Sequence, residues 1–549
     1  MLTTDPPNRL PSAPWLRWFR IALWTALLAS SVLYIRFTWH WPLVGDSSLI
    51  HYIAFLMDRG WAPYRDLGDM NLPGSFLIEW AAMHVFGTGS LAWRLFDLTV
   101  LSATAAGFLA IAGRGNRLAG AFAAVLFAVI HGRDGINNTG QRDLTMAALV
   151  VLSYALLFLA WRTESGKKSA GAAGLFGFCI AAAGTIKPTA LPLGLVLLVA
   201  LAVVLRQQRK PAARAVLLAA AGYLTPLLIC FVFLGREHAV GAFVHSLFTV
   251  VPYFAGLGRK PLSFLLLHSV SPLMGLVAVW FLLVIASTMA TGFWRRWRRP
   301  WSLQQWERAA LLFGAAVMLA GLVAQGKGFP YHRYPFLALL LPVIAVDLVS
   351  ALRQRGVVLA LAVAGLAYGA FVVVPQSVAA VHRYDGRNQE LITMIEADLT
   401  RLGGPSLSGR VQCMDTISGC TTALYRMRLE PATGLLSDFL VFGPAGNPAV
   451  RDARSQFLDK VNARPPEVIV VTANLFPDGP GDFGKLAMWP EFQQLLSSRY
   501  RLCAQRTPPD PVLWWSRVEP PTSYRVYVLH RCFAAGAGCA VLPASDCGD

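Results

Sequence analysis

Long apolar runs separated by short polar segments fill the chain up to about residue 375. Several runs reach the roughly 20 residues that an α-helix needs to cross the hydrocarbon core of a bilayer. The pattern therefore predicts a polytopic α-helical membrane protein. Counted individually, the runs predict eleven crossings, at 21–39, 91–113, 118–131, 144–161, 170–186, 189–205, 214–234, 263–293, 307–325, 335–351 and 357–374. The apolar segment 73–88 is shorter and contains Glu79 and His84, so we expect a juxtamembrane or re-entrant helix there, within a total of about 11 to 13 helices.

Basic residues gather in short segments between these runs and predict the orientation. Lys and Arg are enriched in cytoplasmic loops, so we place all five basic clusters inside, together with the N-terminus. The clusters are Arg114 and Arg117; Arg162, Lys167 and Lys168; Arg206, Arg209, Lys210 and Arg214; Arg295, Arg296, Arg298 and Arg299; and Arg353 and Arg355. The segments then left outside are 40–90, 132–143, 235–262, 326–334 and the chain after 375.

The composition changes after about residue 375, where charged residues, Pro and Gly increase and long apolar runs end. We divide the chain into a cytoplasmic tail (1–20), a transmembrane domain (21–374) and an extracytoplasmic domain (375–549). A soluble α/β fold is expected for the last domain, because apolar spacing there indicates both helices and strands. The predicted helices are 388–402, 448–462 and 489–498, and the predicted strands are 468–471 and 524–529.

Most of the cysteines lie in this C-terminal part. They are Cys413, Cys420, Cys503, Cys532, Cys539 and Cys547. An even set in one small domain is typical of disulfides in an oxidising compartment. Buried free thiols are the alternative, and the sequence does not select a pairing.

Charge and composition restrict the classes of partner. Only 14% of the residues are charged, against about a quarter in a soluble chain. The net charge of +18 arises largely from the basic clusters, which we interpret as orientation signals and contacts with membrane lipids rather than with nucleic acid. No Walker or GxGxxG pattern follows a predicted strand, so a soluble nucleotide sugar is not indicated. No CxxC or HExxH spacing predicts a metal site.

The first outer segment, 40–90, carries the strongest candidate for chemistry. Asp46 follows the first apolar run within a few residues, and a carboxylate at the membrane surface is costly to place without a role. It could act as a general base towards an attacking hydroxyl. The structural alternative is an N-cap for the following helix, since Asp46 precedes Ile50 and Ile53 at helical spacing.

The surrounding motifs extend this interpretation. After Asp46 come GWAPYRD at 60–66, NLPG at 71–74 opening an apolar helix, Phe86-Gly87, and Arg94 in the next span. This set resembles the GT-C superfamily of polyprenyl-phosphate-sugar-dependent glycosyltransferases, which includes protein O-mannosyltransferases and the bacterial transferase that adds aminoarabinose to lipid A. The resemblance covers the N-terminal third. Many relatives carry an acidic pair at the first site, but Ser47 follows Asp46 here, so the resemblance leaves a divalent metal open.

The resemblance implies roles for other outer residues. It makes Asp46 the catalytic base. Asp143, in GQRDLT at 140–145, would be the acidic residue of the second outer loop, close to Asp46, where it would assist catalysis by orienting the acceptor, binding a metal or holding Arg142. An Arg142–Asp143 pair at a helix start is the structural alternative for Asp143. Lys187, before Pro188, is expected to bind the phosphate of the donor by offsetting the charge that grows on its oxygens. Its alternative is a lysine that extends towards the membrane surface.

The segment GKGFPYHRYP at 326–335 is the strongest later motif. Lys327, His332 and Arg333 are expected to contact the donor phosphate. An aromatic belt with an anchoring Arg is the alternative, although it does not explain Lys327 and His332. Four further residues are expected to contact substrate. They are Tyr64, Arg142, Tyr331 and Tyr334.

The functional hypothesis is therefore a hexosyl- or pentosyltransferase of the bacterial inner membrane. It would move a monosaccharide from a polyprenyl-phosphate carrier to an envelope lipid, glycan or protein at the extracytoplasmic face, with inversion at the anomeric carbon. The alternatives are a transporter or flippase, and a non-catalytic envelope assembly protein. The hypothesis requires Asp46, Asp143 and the segment from Lys327 to Arg333 to meet at the outer surface.

Overall fold

The structure of the chain, a computed structural model, describes residues 14–291, 301–382, 389–416, 418–477, 483–509, 512–514, 517–519 and 522–533. Three of the predictions concern residues outside these ranges. They are residues 1–13 of the predicted tail, the basic cluster at 295–299, and two of the six C-terminal cysteines, Cys539 and Cys547.

The N-terminal part of the chain is a helical bundle, as the apolar runs predict. Its helices are α1 (Pro14–Thr38), α2 (Gly45–Met57), α3 (Pro73–Phe86), α4 (Ser90–Ala112), α5 (Arg117–Arg133), α6 (Arg142–Arg162), α7 (Gly166–Ile186), α8 (Ala190–Gln207), α9 (Ala212–Arg236), α10 (Val240–His245), α11 (Val251–Gly256), α12 (Leu262–Val270), α13 (Met274–Thr291), α14 (Leu303–Gln325), α15 (Tyr334–Ala351), α16 (Gly356–Tyr368) and α17 (Val374–His382). Within the described ranges, 10 helices are long and apolar enough to cross a membrane, or up to 11 if the bent pair α12–α13 is one span. The polytopic α-helical fold is confirmed.

The predicted crossing at 263–293 is not one continuous helix in the described residues. The segment forms α12 and α13, which are bent by 83° at a short break. Pro272 lies in that break. Proline lacks a backbone N–H and disfavours helical geometry at the residue before it, so the helix cannot continue through this position.

Two outer segments contain helices that position the site. α2 is almost completely buried from Ser47 to Leu56. α3 is the expected short helix at 73–88, and it packs tightly on the end of α7, because a Cβ on Gly74 would clash with Thr185 Oγ1. The predicted outer loop 235–262 also contains α10 and α11, joined by a π-helical turn at Ser246–Val250.

The C-terminal part is the expected α/β domain. Its helices are α18 (Glu390–Leu402), α19 (Gly419–Arg426), α20 (Pro448–Ala463) and α21 (Pro490–Arg499), and its strands are β1 (Val411–Met414), β2 (Val468–Thr472), β3 (Tyr500–Arg506), β4 (Val512–Trp514), β5 (Arg517–Glu519) and β6 (Tyr524–Leu529). The main sheet has the order β1-β2-β6-β3, with β1 parallel to β2 and the other pairs antiparallel. The predicted helices and strands of this region are confirmed to within a few residues.

Disulfides occur in this domain, as the cysteine distribution predicts. Cys413 in β1 is bonded to Cys420 in α19, with the two Cα atoms 5.8 Å apart. Cys503 and Cys532 are also disulfide-bonded. Cys179 and Cys230, in the apolar helices, are free thiols.

The C-terminal domain packs directly on the first outer segment. Tyr52 Oη of α2 donates a hydrogen bond to the carbonyl of Leu429 at 2.9 Å, and the backbone N–H of Gly68 donates to the carbonyl of Gly434 at 2.9 Å. A Cβ on Gly434 would clash with the backbone of Asp66. These contacts place the domain on the same side of the bundle as Asp46.

Candidate active site

The ends of several helices meet at one place, on the side of the bundle against which the C-terminal domain packs. Asp46 lies in the first turn of α2, and Asp143 lies in the first turn of α6. Lys187 follows the last residue of α7, where the negative end of the helix dipole favours a cation. Tyr331 lies in the 3₁₀ turn Pro330–Arg333 before α15. The fold thus brings together residues from four distant parts of the chain.

Asp46 is half-buried and accepts a hydrogen bond from Tyr331 Oη at 3.2 Å. It does not cap the helix, because the N-cap position is Val44 and no side chain bonds there. Ser47 Oγ donates to the carbonyl of Thr139 at 2.6 Å. The first turn of α2 is therefore fixed to the second outer loop.

Asp143 pairs with Lys187 rather than with its neighbour Arg142. Lys187 Nζ lies 2.6 Å from Asp143 Oδ1 and donates another hydrogen bond of 2.6 Å to Gln325 Oε1. Burial lowers the pKa of Lys187, and the nearby charges of Asp143 and Asp46 oppose that effect. Both acids therefore lie close to this ammonium group, which is held inside the site rather than extended towards the surface.

Arg142 is half-buried, and in the described parts of the chain its guanidinium has no hydrogen bond or ion pair. The positive charge of Arg142 affects the pKa values of Lys187, Tyr331 and His332, so its side chain lies near these three residues. Burial raises the pKa of the carboxyl groups of Asp69 and Glu79, that of Glu79 to about 8. The charge of Arg142 opposes this effect at both carboxyls. Arg142 is therefore a cation available for an anionic ligand.

His332 faces the same site. Its side chain is buried, its ring centroid lies 4.8 Å from that of Tyr331, and the charges of Lys187 and Arg142 act on it. Its Nδ1 atom is buried and has no hydrogen-bond partner among the described residues. Tyr331 and His332 are thus the two residues of the 326–335 motif that lie near Asp46 and Asp143.

Lys327 and Arg333 are held by other protein groups. Lys327 Nζ donates to the carbonyls of Phe254 and Leu257 and lies 4.4 Å from the centroid of the Phe254 ring. Burial and the charge of Arg259 lower the pKa of Lys327 to about 8. Arg333 pairs with Asp134 and donates to the carbonyls of His268 and Ser271. Both side chains fasten the 326–335 segment to its surroundings.

The two remaining tyrosines lie in packed surroundings. Tyr334 is completely buried, and its ring centroid lies 5.5 Å from that of His131. Tyr64 donates a hydrogen bond to the carbonyl of Asn71, and its ring contacts Phe76 and Phe243 at centroid distances of 5.8 and 5.0 Å. Neither contacts Asp46 or Asp143 through a hydrogen bond in the described structure.

Two supporting residues, Asp97 and Gln325, were not singled out from the sequence, and Arg94 was named there only as part of the motif set. Asp97 Oδ1 accepts a hydrogen bond from the backbone N–H of Gly140 at 3.1 Å, which fixes the second outer loop three residues before Asp143. Arg94 holds the Asp97 carboxylate and also bonds Thr38. The spacing of Arg94 and Asp97 within an apolar span was the available signal. Gln325 had no comparable signal, because its role depends on where α14 ends.

No group of three or more His, Cys, Asp or Glu side chains that could hold a metal ion occurs in the portion of the chain that the structure describes. The two acids of the site are instead bound to Tyr331 and Lys187. The arrangement is a pair of carboxylates facing a lysine, an unpaired arginine and a buried histidine. It can accept a proton at one end and hold an anion at the other.

No protein-family model and no curated protein sequence matches the chain. Solved structures do resemble it. ArnT from Cupriavidus metallidurans bound to undecaprenyl phosphate matches with a TM-score of 0.55 and 12% identity, over 96% of this chain and 99% of that one. The apo form of the same protein matches with a TM-score of 0.54 and 14% identity, over 93% and 97% of the two chains.

A third solved structure is similar over a smaller share of its length. The oligosaccharyltransferase from Archaeoglobus fulgidus in the apo form matches with a TM-score of 0.50 and 12% identity, over 82% of this chain and 69% of that one. The ArnT matches extend through the C-terminal domain as well as the bundle, because they cover nearly the whole of both chains. The chain therefore shares its overall fold with these three solved structures.

Proposed function

We propose that the chain is a glycosyltransferase that moves a monosaccharide from a polyprenyl-phosphate carrier to an envelope acceptor at the extracytoplasmic face of the bacterial inner membrane. One observation carries the proposal. Asp143 pairs with the partly buried ammonium group of Lys187, which the charge of Asp46 also reaches, and the neighbouring Arg142 has no hydrogen bond or ion pair among the described residues. This pairing of a base with cations suits a reaction in which a hydroxyl loses a proton while a phosphate leaves.

Asp46 would be the general base. It is half-buried, and its hydrogen bond from Tyr331 leaves lone pairs for the hydroxyl of an acceptor. A positioned carboxylate of this kind contributes typically about 10²–10⁴-fold to the rate. Direct attack of the acceptor on the anomeric carbon would invert its configuration, because the new bond forms opposite the departing phosphate.

Lys187, Arg142 and His332 would bind the donor phosphate. Negative charge grows on the phosphate oxygens as the bond to the sugar breaks, and fixed cations stabilise that charge. Asp143 would hold Lys187 in place, with Gln325 on the other side. Lys327 and Arg333 would brace the segment that presents Tyr331 and His332, and Tyr64 and Tyr334 would shape the surrounding loops.

The similarity to ArnT supports a lipid phosphate as the carrier. That protein was crystallised with undecaprenyl phosphate, and it covers almost all of this chain. A polyprenyl chain would also suit a site at the outer ends of apolar helices, because its hydrocarbon could remain within the bilayer. Undecaprenyl phosphate is therefore the probe with which we propose to test binding.

The test uses a deletion strain that expresses the wild-type chain, Asp46→Asn or Asp58→Asn. Asp58 follows the other end of α2 and is more exposed, so Asp58→Asn is the matched control. Mass spectrometry of envelope lipids, glycans and proteins should find a sugar-sized mass added by the wild type and by Asp58→Asn. At equal membrane abundance, Asp46→Asn should lose it. An added mass that is also present with Asp46→Asn would refute the proposed base, and no difference between the deletion and wild-type strains would refute the proposed transfer.

A further inference from the structure

The short helix α19 of the C-terminal domain packs along α2, the helix that carries Asp46. The side-chain hydroxyls of Ser48 and Thr422 hydrogen-bond to each other, and Ser48 is two residues from Asp46. Arg426 Nη2 reaches the carbonyl of Leu43 at 3.4 Å, just before α2 begins. Both contacts bracket the first turn of α2.

A single aromatic ring extends this contact down the helix. The centroid of the Tyr425 ring lies 6.4 Å from that of His51, 6.4 Å from that of Tyr52 and 5.8 Å from that of Phe55, each in an edge-on arrangement. Edge-on aromatic pairs at such distances are favourable. α19 therefore contacts α2 from its first turn to its last.

The opposite side of α19 is anchored to the sheet. The disulfide between Cys413 and Cys420 joins its first turn to β1. The backbone N–H of Cys420 also donates to Asp415 Oδ2 at 2.7 Å, just after β1 ends. Ser418, before the helix, adopts a left-handed backbone, and its carbonyl accepts from the N–H of Thr422 at 3.0 Å. The helix is thus held between the sheet and α2.

We infer that α19 is the element that sets the position of Asp46, and that Thr422 is a positioning residue for the transfer reaction. This inference rests on the proposed function, because it assigns the C-terminal domain a part in the same site. The first turn of α2 is also held by the bonds from Ser47 to Thr139 and from Tyr331 to Asp46. Loss of the Thr422 contact would let the turn move relative to Tyr331 and Lys187, while the cations that bind phosphate stay on α6, α7 and the 3₁₀ turn.

Thr421 and Thr422 give a matched pair of substitutions. Both side chains are buried in α19. Thr421 Oγ1 has no hydrogen-bond partner among the described residues, whereas Thr422 Oγ1 donates to the carbonyl of Ser418, just before its own helix, and accepts from Ser48 Oγ of α2. Thr422→Val and Thr421→Val remove the same hydroxyl from adjacent positions. Thr422→Ser keeps the hydroxyl and tests for rescue.

The experiment measures initial rates with the purified full chain, using as donor the lipid extract of the deletion strain, in which unused donor accumulates. Binding of undecaprenyl phosphate reports the folded fraction. We expect Thr422→Val to lower kcat about tenfold with an unchanged KM for donor, because misplacement of a catalytic group by a fraction of an ångström is costly. Thr421→Val should match the wild type, and Thr422→Ser should recover most of the rate.

Equal rates for Thr422→Val and Thr421→Val would overturn the inference while leaving the transferase proposal intact. A parallel loss of rate and of undecaprenyl phosphate binding in Thr422→Val would also overturn it, because that result indicates general unfolding. Absence of transfer by the wild-type chain would refute the proposed function instead. A second variant, Ser48→Ala, removes the other half of the hydrogen bond and should give the same change in kcat as Thr422→Val.

Discussion

Lys187→Met is expected to lower the free energy of unfolding, because it removes one member of the ion pair between Lys187 and Asp143 at the candidate site. The side chain of Asp143 is 1% exposed and that of Lys187 is 16% exposed, and the charged atoms lie 2.6 Å apart. Asp143 Oδ2 already lacks a hydrogen-bond partner among the described residues. The substitution would therefore leave a buried carboxylate without a partner on either oxygen.

Removal of one member of a buried ion pair costs about 3–5 kcal/mol of stability. We expect about 3 kcal/mol for Lys187→Met, because the lysine retains some contact with solvent. The double variant Asp143→Asn/Lys187→Met removes both charges, so its expected cost is only about 1 kcal/mol. The double variant should thus be more stable than Lys187→Met by about 2 kcal/mol.

The free energy of unfolding can be measured by SDS titration of the purified chain in mixed micelles, with tryptophan fluorescence as the signal. The wild type, both single variants and the double variant complete the cycle. A double variant that is less stable than Lys187→Met would contradict the buried pair. Binding of undecaprenyl phosphate should be lost in both Lys187→Met variants, which separates the role of Lys187 in the site from its role in stability.

Three further changes test other parts of the account. Arg142→Met should weaken binding of undecaprenyl phosphate about tenfold or more without loss of stability, because the guanidinium has no hydrogen bond or ion pair to lose among the described residues. Lys260→Met, at an exposed position of the predicted outer loop 235–262, is the control, and equal affinities of the two variants would contradict the assignment. Gly74→Ala should destabilise by about 1–3 kcal/mol because its Cβ would clash with Thr185, whereas Gly171→Ala, which has open space, should be neutral or slightly stabilising in the same titration. Burial raises the pKa of Glu79 from 4.5 to about 8, so the folded state favours the protonated carboxyl, and the stability that this protonated group contributes is lost as pH rises from about 4.5 through about 8. The thermal midpoint of the wild type should therefore fall over this pH range relative to that of Glu79→Gln. Parallel pH profiles of the two proteins would contradict this.

The sequence was sufficient to predict the helical bundle, because the length of each apolar run by itself indicates a helix that can cross a membrane. The basic clusters also predicted that the segments of Asp46 and Asp143 lie on the same side of the membrane, and the structure places both residues near Lys187. Which side of the membrane this is stays a prediction. The bend between α12 and α13 was missed because the long apolar run concealed the effect of Pro272. α10 and α11 were missed because the helical stretch Val240–Gly256 is shorter than a membrane crossing, so the whole segment 235–262 was treated as a loop.

The partners of individual cations could not be derived from the sequence. Lys327 and Lys187 look alike as lysines beside helix ends, but one donates to backbone carbonyls and the other pairs with Asp143. That difference depends on where α11 and α6 lie, which is a long-range property of the fold. Arg142 shows the converse, since its neighbour Asp143 suggested a local pair that the structure does not contain.

The structure of the chain with undecaprenyl phosphate bound would test the central claim most directly. The account predicts phosphate oxygens within about 4 Å of Lys187 Nζ and of the Arg142 guanidinium, with Asp46 facing the side on which the sugar would be attached. A phosphate bound beside Arg259 and Lys260, away from both acids, would contradict it.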